Sequence, residues 1–284
     1  MATTLATLAT TLSITVGDAV SQPAAWLVAV ILGIIEGLTE FLPVSSTGHL
    51  LIAEHWLPRQ SDLFNVLIQS GAVLAVLPLF RERIAMLMRW RDPRSRDLLL
   101  KIFTAFAITG AGGLVLEKAG FRLPEAVTPV AWAFILVGIA FLAVERFCAG
   151  RETRDEITWP VVVAVAAAQL LAATFPGTSR SGATILLALL LGSNRVLATE
   201  FSFLVGIPTL LSAGALKFLK QMREPALIAS QDWSSLVLAA VVAAVVSFIT
   251  VKWLLRFVQT HSFAGFAVYR IILGAVLLAM AAKS

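Results

Sequence analysis

The run 36-EGLTEFLPVSSTGHL-50 sets two carboxylates, three hydroxyls and an imidazole in an otherwise oily stretch. Glu36 and Glu40 are spaced i, i+4, which puts both carboxylates on one helical face. Like charges so placed repel unless a cation or proton lies between them. The pair suits a Mg²⁺ or Ca²⁺ site, or an acid/base couple. A pair snorkelling to an interface is the plainer alternative.

Pro43 lacks a donor N–H and is expected to end the first half-helix. Ser45, Ser46 and Thr47 then open the returning half-helix, where free N–H groups and the positive dipole end attract an anion. One hydroxyl there is an N-cap; three in a row before Gly48 exceed that need. His49, three residues past Ser46, alone among the three histidines sits in a polar cluster and could move a proton near neutral pH; a purely structural imidazole is the alternative.

A second polar island, 176-PGTSRSGAT-184, offers Thr178, Ser179, Arg180 and Ser181 between two glycines. A guanidinium at such a turn clamps phosphate oxygens through paired hydrogen bonds, unless it merely pairs with Glu36 or Glu40. One island supplies carboxylates, hydroxyl nucleophile and imidazole; the other supplies positive charge. That division suits phosphoryl chemistry, in which positioning and charge neutralisation are most of what a protein provides. In so apolar a chain the phosphate belongs on a lipid. Gln69 either bonds within the site or joins two helices. Glu200 caps a helix or pairs with Arg195, Arg270 is a structural anchor, and Glu54 and His55 read as interfacial.

The elements that hold these groups must lie in a bilayer. Of 284 residues 58% are hydrophobic and 14% charged, with mean hydropathy +0.89, against about a quarter charged in soluble domains. This is an all-α polytopic membrane protein. The net charge of +5 reflects cytoplasmic loops rather than nucleic-acid binding, for which no basic-aromatic cluster exists. Cys148, the single cysteine, cannot form an internal disulfide and reads as a small filler. Residues 1–23 form a tail; its first 22 residues lack Lys and Arg, unlike a cleaved signal peptide.

A spanning helix needs roughly 20 apolar residues. Segments 63–80, 98–117, 128–148, 196–216, 234–256 and 262–282 qualify. Regions 24–57 and 157–192 are broken in the middle, and 24–38 as a helix reaches only about 22 Å, short of the hydrocarbon thickness of about 30 Å. Each is read as a re-entrant hairpin. A shift of 134 positions (179 minus 45) superposes the two polar islands and carries the first three spans nearly onto the last three. The chain is thus a single membrane domain, 24–284, made of repeat one (24–148), a linker (149–156) and repeat two (157–284). An odd number of crossings per copy makes the repeats inverted, with a site near the midplane. The connection 81–101 holds seven basic residues and is expected to be cytoplasmic, which leaves both termini external.

These motifs, with 200-EFSF-203, 64-FNVLIQSGAVLAV-76 and 268-VYR-270, resemble the undecaprenyl-diphosphate phosphatase, or bacitracin-resistance protein, family from about residue 25 onward. The resemblance implies an integral enzyme of the bacterial inner membrane that converts undecaprenyl diphosphate to undecaprenyl phosphate on the periplasmic side. It implies a divalent cation, with the family glutamates at Glu36 and Glu40, its serine at Ser46, its histidine at His49 and its arginine at Arg180. Ser45, Thr47, Gln69, Thr178, Ser179 and Ser181 are expected to contact the phosphates. The expected mechanism has Ser46 attacking with His49 as proton shuttle, or His49 itself as nucleophile. The rival class is a lipid-phosphate transporter. Oligomeric state is not legible, and a homodimer stays open.

Overall fold

The computed structural model describes residues 23–120, 126–224 and 231–282; the expected N-terminal tail lies outside them, apart from Pro23. Every regular element among these residues is helical. In chain order they are α1 (Ala25–Thr39), α2 (Ser46–Ala53), α3 (Asp62–Val76), a 3-10 turn (Leu77–Phe80), α4 (Arg81–Leu87), α5 (Pro93–Lys118), α6 (Val127–Cys148), α7 (Trp159–Thr174), α8 (Arg180–Leu190), α9 (Arg195–Gln221), α10 (Trp233–Thr260) and α11 (Ala264–Ala281). Six stretches are long and apolar enough to cross a membrane: Asp62–Leu87, Pro93–Lys118, Val127–Cys148, Arg195–Gln221, Trp233–Phe257 and Ala264–Ala281. The chain is a multi-pass membrane protein, with large apolar side chains such as Phe103, Leu136 and Ile249 turned outward.

The two broken regions form helix pairs too short to span, α1/α2 and α7/α8. Their turns share a local solution. Ser45 (φ 77°) and Ser179 (φ 69°), 134 positions apart, are the two non-glycine residues with positive φ among those described. Each caps the returning helix: Ser45 Oγ accepts from the Gly48 N–H (3.4 Å), and Ser179 Oγ accepts from the Gly182 N–H (3.1 Å). Such backbone positions cost about 1–3 kcal/mol and persist only where surroundings over-determine them. The first helix stops at Thr39, before Pro43. Glu40 still has helical dihedrals and its N–H still donates to the Glu36 carbonyl (2.9 Å), so the two carboxylates keep their one-turn spacing.

Packing follows small residues, as membrane helices favour where no hydrophobic drive separates helix from lipid. α1 lies along α10 through Gly33 and Gly37, where a Cβ would come within 2.6 Å of the Ala239 and Ala243 carbonyl oxygens. α6 and α11 pack most extensively. In their seam a Cβ on Gly274 would meet the Ala131 carbonyl at 2.7 Å. The main apolar core gathers Phe41, Phe80, Phe141, Phe203 and their neighbours between the hairpins and α3, α5, α9 and α10.

Candidate active site

Glu40 is the centre of the polar cluster, accepting three side-chain hydrogen bonds. Ser46 Oγ donates to its Oε2 at 2.5 Å, Gln69 Nε2 to the same oxygen at 3.2 Å, and Arg180 Nη2 to Oε1 at 2.7 Å. The two islands, 140 residues apart at this pair, therefore meet directly. Arg180 opens α8, and its Nη1 also donates to the Gly206 carbonyl (3.1 Å) on α9. A side chain at 206 would crowd the guanidinium, since a Cβ there falls 3.2 Å from Nη1. Gly206 is the twelfth of the 27 residues of α9, so the cluster sits near the middle of that helix.

Glu40, Ser45, Ser46, Thr47, Gln69, Ser179 and Arg180 line one cavity of about 260 Å³. Sequence reasoning missed three more polar residues of that lining, Thr109, Gln169 and Thr209, because isolated hydroxyls and amides in apolar spans carry no motif. Gln69 bonds to Glu40 within the cluster, and the same bond joins α3 to the end of α1. A larger cavity, about 880 Å³, surrounds Arg83, Glu145 and Arg195. Arg195 lies 11 residues before Gly206 on α9, about 16 Å along a helix axis, so that space is separate from the cluster.

Four residues expected at the phosphates or in catalysis lie outside the cavity lining. Ser181 and Thr178 tie the hairpins instead: Ser181 Oγ donates to the Leu42 carbonyl (3.0 Å), and the Thr178 carbonyl accepts from Arg270 (3.2 Å). The His49 ring makes its hydrogen bonds elsewhere than to Ser46. Its Nδ1 is 2.7 Å from the Ser45 carbonyl and its Nε2 is 2.6 Å from the Tyr269 hydroxyl. A carbonyl can only accept, so Nδ1 carries the proton and Nε2 of the neutral ring accepts from Tyr269. Glu36 is 1% exposed, and neither carboxylate oxygen has a hydrogen-bond partner.

Arg270 is more than a lone anchor. Fully buried, it donates through Nη1 to the Pro43 carbonyl (3.1 Å) and through Nη2 to those of Gly177 (2.7 Å), Thr178 and Ala133 (both 3.2 Å). One guanidinium thus holds both hairpin turns. Glu200 departs from both of its expected roles. Asn194 caps α9, Glu200 pairs with Arg83 (2.7 Å), and Arg195 pairs with Glu145 (2.5 Å). Five residues apart, Arg195 and Glu200 point about 140° apart around the helix and cannot meet.

The match to known proteins covers this whole assembly. Residues 29–276 fit the model of the bacitracin resistance protein BacA. The chain belongs to the BacA family. An undecaprenyl-diphosphatase of Rhizobium johnstonii is 53% identical over 259 residues, covering 90% of this chain and 97% of its own. The undecaprenyl-diphosphatase of Xylella fastidiosa is 51% identical over 252 residues (88% and 96%), and that of Xanthomonas euvesicatoria pv. vesicatoria 48% over 252 (88% and 95%). The BacA match takes in both hairpin turns and all of α2 to α10, and therefore every residue of the cluster.

Proposed function

We infer that this chain is an undecaprenyl-diphosphatase, releasing inorganic phosphate from undecaprenyl diphosphate within the membrane. Family membership and relatives of that name at about half identity support the activity; the Ser46–Glu40–Arg180 cluster supports the chemistry. Bacitracin resistance is the phenotype that the family's name carries. A transporter would bind the same head group, but it has no need of a hydroxyl held 2.5 Å from a carboxylate.

In the proposed sequence the diphosphate enters the cavity and draws Arg180 from Glu40 onto its own oxygens. That exchange frees Glu40 from its cationic partner and leaves its carboxylate facing the Ser46 hydroxyl. Glu40 takes the Ser46 proton while Oγ bonds to the terminal phosphorus and the bridging P–O bond breaks, with undecaprenyl phosphate leaving. Water then attacks the phosphoserine, Glu40 returns its proton to Oγ, and inorganic phosphate is freed. Gln69 holds the orientation of the Glu40 carboxylate throughout. Ser45, Thr47 and Ser179, at the two helix N-termini, surround the phosphates with hydroxyls and N–H groups.

A second reading, with His49 as nucleophile, is favoured by one observation. The Ser45 carbonyl holds the proton on Nδ1, which leaves Nε2 with a lone pair. Reaching the cavity would require the ring to leave Tyr269. Purified protein given undecaprenyl diphosphate and quenched in acid or in alkali separates the two, since phosphoserine survives acid and phosphohistidine survives alkali. A label on Ser46 is expected. A label on His49 overturns the serine route, and no phosphate release at all overturns the hydrolase.

The divalent cation fits the residues in charge. A buried carboxylate that meets no donor and lies beside a second carboxylate is costly unless a proton or cation lies between them, and Glu36 with Glu40 one turn on would hold Mg²⁺ or Ca²⁺ as two ligands. Among the described residues no group of three acidic, His or Cys side chains is arranged for a metal, so phosphate oxygens and water would complete the shell, as Mg²⁺ sites commonly allow. When bound, the ion supplies charge neutralisation at the diphosphate. The hairpins are proposed to enter the bilayer from opposite sides as inverted repeats, the site opening to the periplasm with both termini external. Within one chain the cluster is complete, so a homodimer would add no residue to it.

A further inference from the structure

The isoprenoid attached to the head group must leave the cavity somewhere, and three helices show an axial change of character that marks where. On α5, Thr109 lines the polar cavity, whereas Phe106, Phe103 and Leu99, successively earlier in the helix, line a separate groove of about 430 Å³. On α9 the order is the same: Thr209 and later residues face the cavity, and Pro208 and Ile207 face the groove. α3 runs the other way and keeps the sense, from Gln69 in the cavity to Leu77 past its end in the groove, eight residues or about 12 Å on. The groove contains no charged or polar side chain among its lining residues.

The junction is marked by Arg180. Its guanidinium lines the cavity and rests on the Gly206 carbonyl, within the 204–208 stretch of α9 that supplies residues to the groove. A ligand held there by its phosphates meets an apolar channel within one helical turn along the same seam. We propose that this groove, walled by α4, α5 and α9, is the binding site for the first part of the substrate's polyprenyl chain, and that it sets the preference for long isoprenoids. This rests on the polyprenyl diphosphate reading of the cavity. The occupant it commits to is an isoprenoid continuous with a bound head group; an ordinary bilayer acyl chain would show none of that dependence.

Two measurements on the full chain in lipid nanodiscs decide it. The first uses undecaprenyl monophosphate bearing a diazirine in its early isoprenyl units, which needs no turnover. Adducts concentrated on 99–106 and 204–208, and suppressed by unlabelled undecaprenyl phosphate but not by phosphatidylglycerol, are expected. Adducts spread over the outward faces of α10 and α11 overturn the groove. The second compares phosphate release from undecaprenyl and farnesyl diphosphates. Leu99→Trp, which fills the groove from its open side, is expected to lower the long-to-short ratio of kcat/KM at least tenfold. An equal fall for both substrates, or none, counts against the proposal. Wild-type protein that releases phosphate from neither substrate refutes the hydrolase reading, while the adduct pattern still judges the groove by itself.

Discussion

Arg180 and Glu40, 140 positions apart in the chain, form a 2.7 Å ion pair at the meeting point of two broken helices, with side chains 18% and 4% exposed. In so enclosed a place, removing one partner strands the other charge, a loss of about 3–5 kcal/mol. Arg180→Ala is therefore expected to lower both the thermal midpoint and, by about 10²–10³-fold, kcat. The double variant Arg180→Met/Glu40→Gln separates the effects: it should recover most of the stability and none of the activity. Differential scanning fluorimetry beside phosphate release checks both arms.

Glu40→Gln leaves the shape of the site and removes its base. The amide oxygen can still accept from Arg180, but the amide nitrogen then stands where Oε2 accepted from Gln69 and Ser46 and cannot take the Ser46 proton. A drop in kcat of about 10²–10⁴-fold with a smaller change in KM is expected, and no labelled phosphoserine should accumulate. If Ser46→Ala retains more activity than Glu40→Gln, Ser46 is not the attacking group.

How much of this was legible beforehand depended on whether the signal was local. The spans were visible because length and apolarity are local, and the hairpins because Pro43 and Pro176 interrupt runs too short to cross. Glu40 and Arg180 were visible as charges in otherwise apolar stretches, and Ser46 as one of three hydroxyls in a row at the start of a helix. What stayed hidden was direction. Nothing in the spacing of Ser46 and His49 shows that the hydroxyl turns to Glu40 while the imidazole turns to Tyr269, 220 residues away. Thr109, Gln169 and Thr209 join the cavity through helix rotation alone, and the ion partners of Glu200 were misjudged for the same reason. The usable signal for Arg270 was simply an arginine inside an apolar span of 18 residues.

Tyr269 tests what His49 contributes. Tyr269→Phe removes the hydroxyl from Nε2 and keeps the stacked ring, with centroids 5.7 Å apart. Losing one hydrogen bond of about 1 kcal/mol corresponds to roughly a fivefold fall in rate. His49→Ala should fall further, since it also abandons the Ser45 carbonyl beside the attacking serine. Equal losses in the two variants would mean that His49 acts only through Tyr269; steady-state kinetics on both distinguishes these cases.

The glycines of α1 and α5 make opposite predictions. Gly37→Ala places a methyl 2.6 Å from the Ala243 carbonyl and 2.7 Å from Val246 Cβ, forcing α1 off α10 at a cost of about 1–3 kcal/mol. Because Glu36 and Glu40 ride on the same helix, activity should drop with it. Gly110→Ala meets nothing within 4 Å and should gain up to about 1 kcal/mol from helix propensity. Thermal midpoints in one detergent measure both.

Arg270 reaches both turns with one planar group, and that geometry decides which replacement can serve. Its two terminal nitrogens serve Pro43 on one hairpin and Gly177 and Thr178 on the other. Arg270→Met leaves these carbonyls without their donor at about 1–3 kcal/mol for each buried group, so the variant should be poorly folded. Arg270→Lys is the informative substitution, because a single ammonium can satisfy one turn but not both. It should accumulate as folded protein with an intact α6–α11 seam, yet bind substrate weakly, because Ser46 and Arg180 no longer keep their register across the gap. A raised KM with a near-native thermal midpoint is the expected signature; wild-type KM in that variant would mean the hairpins hold their register through Ser181 and Leu42 alone.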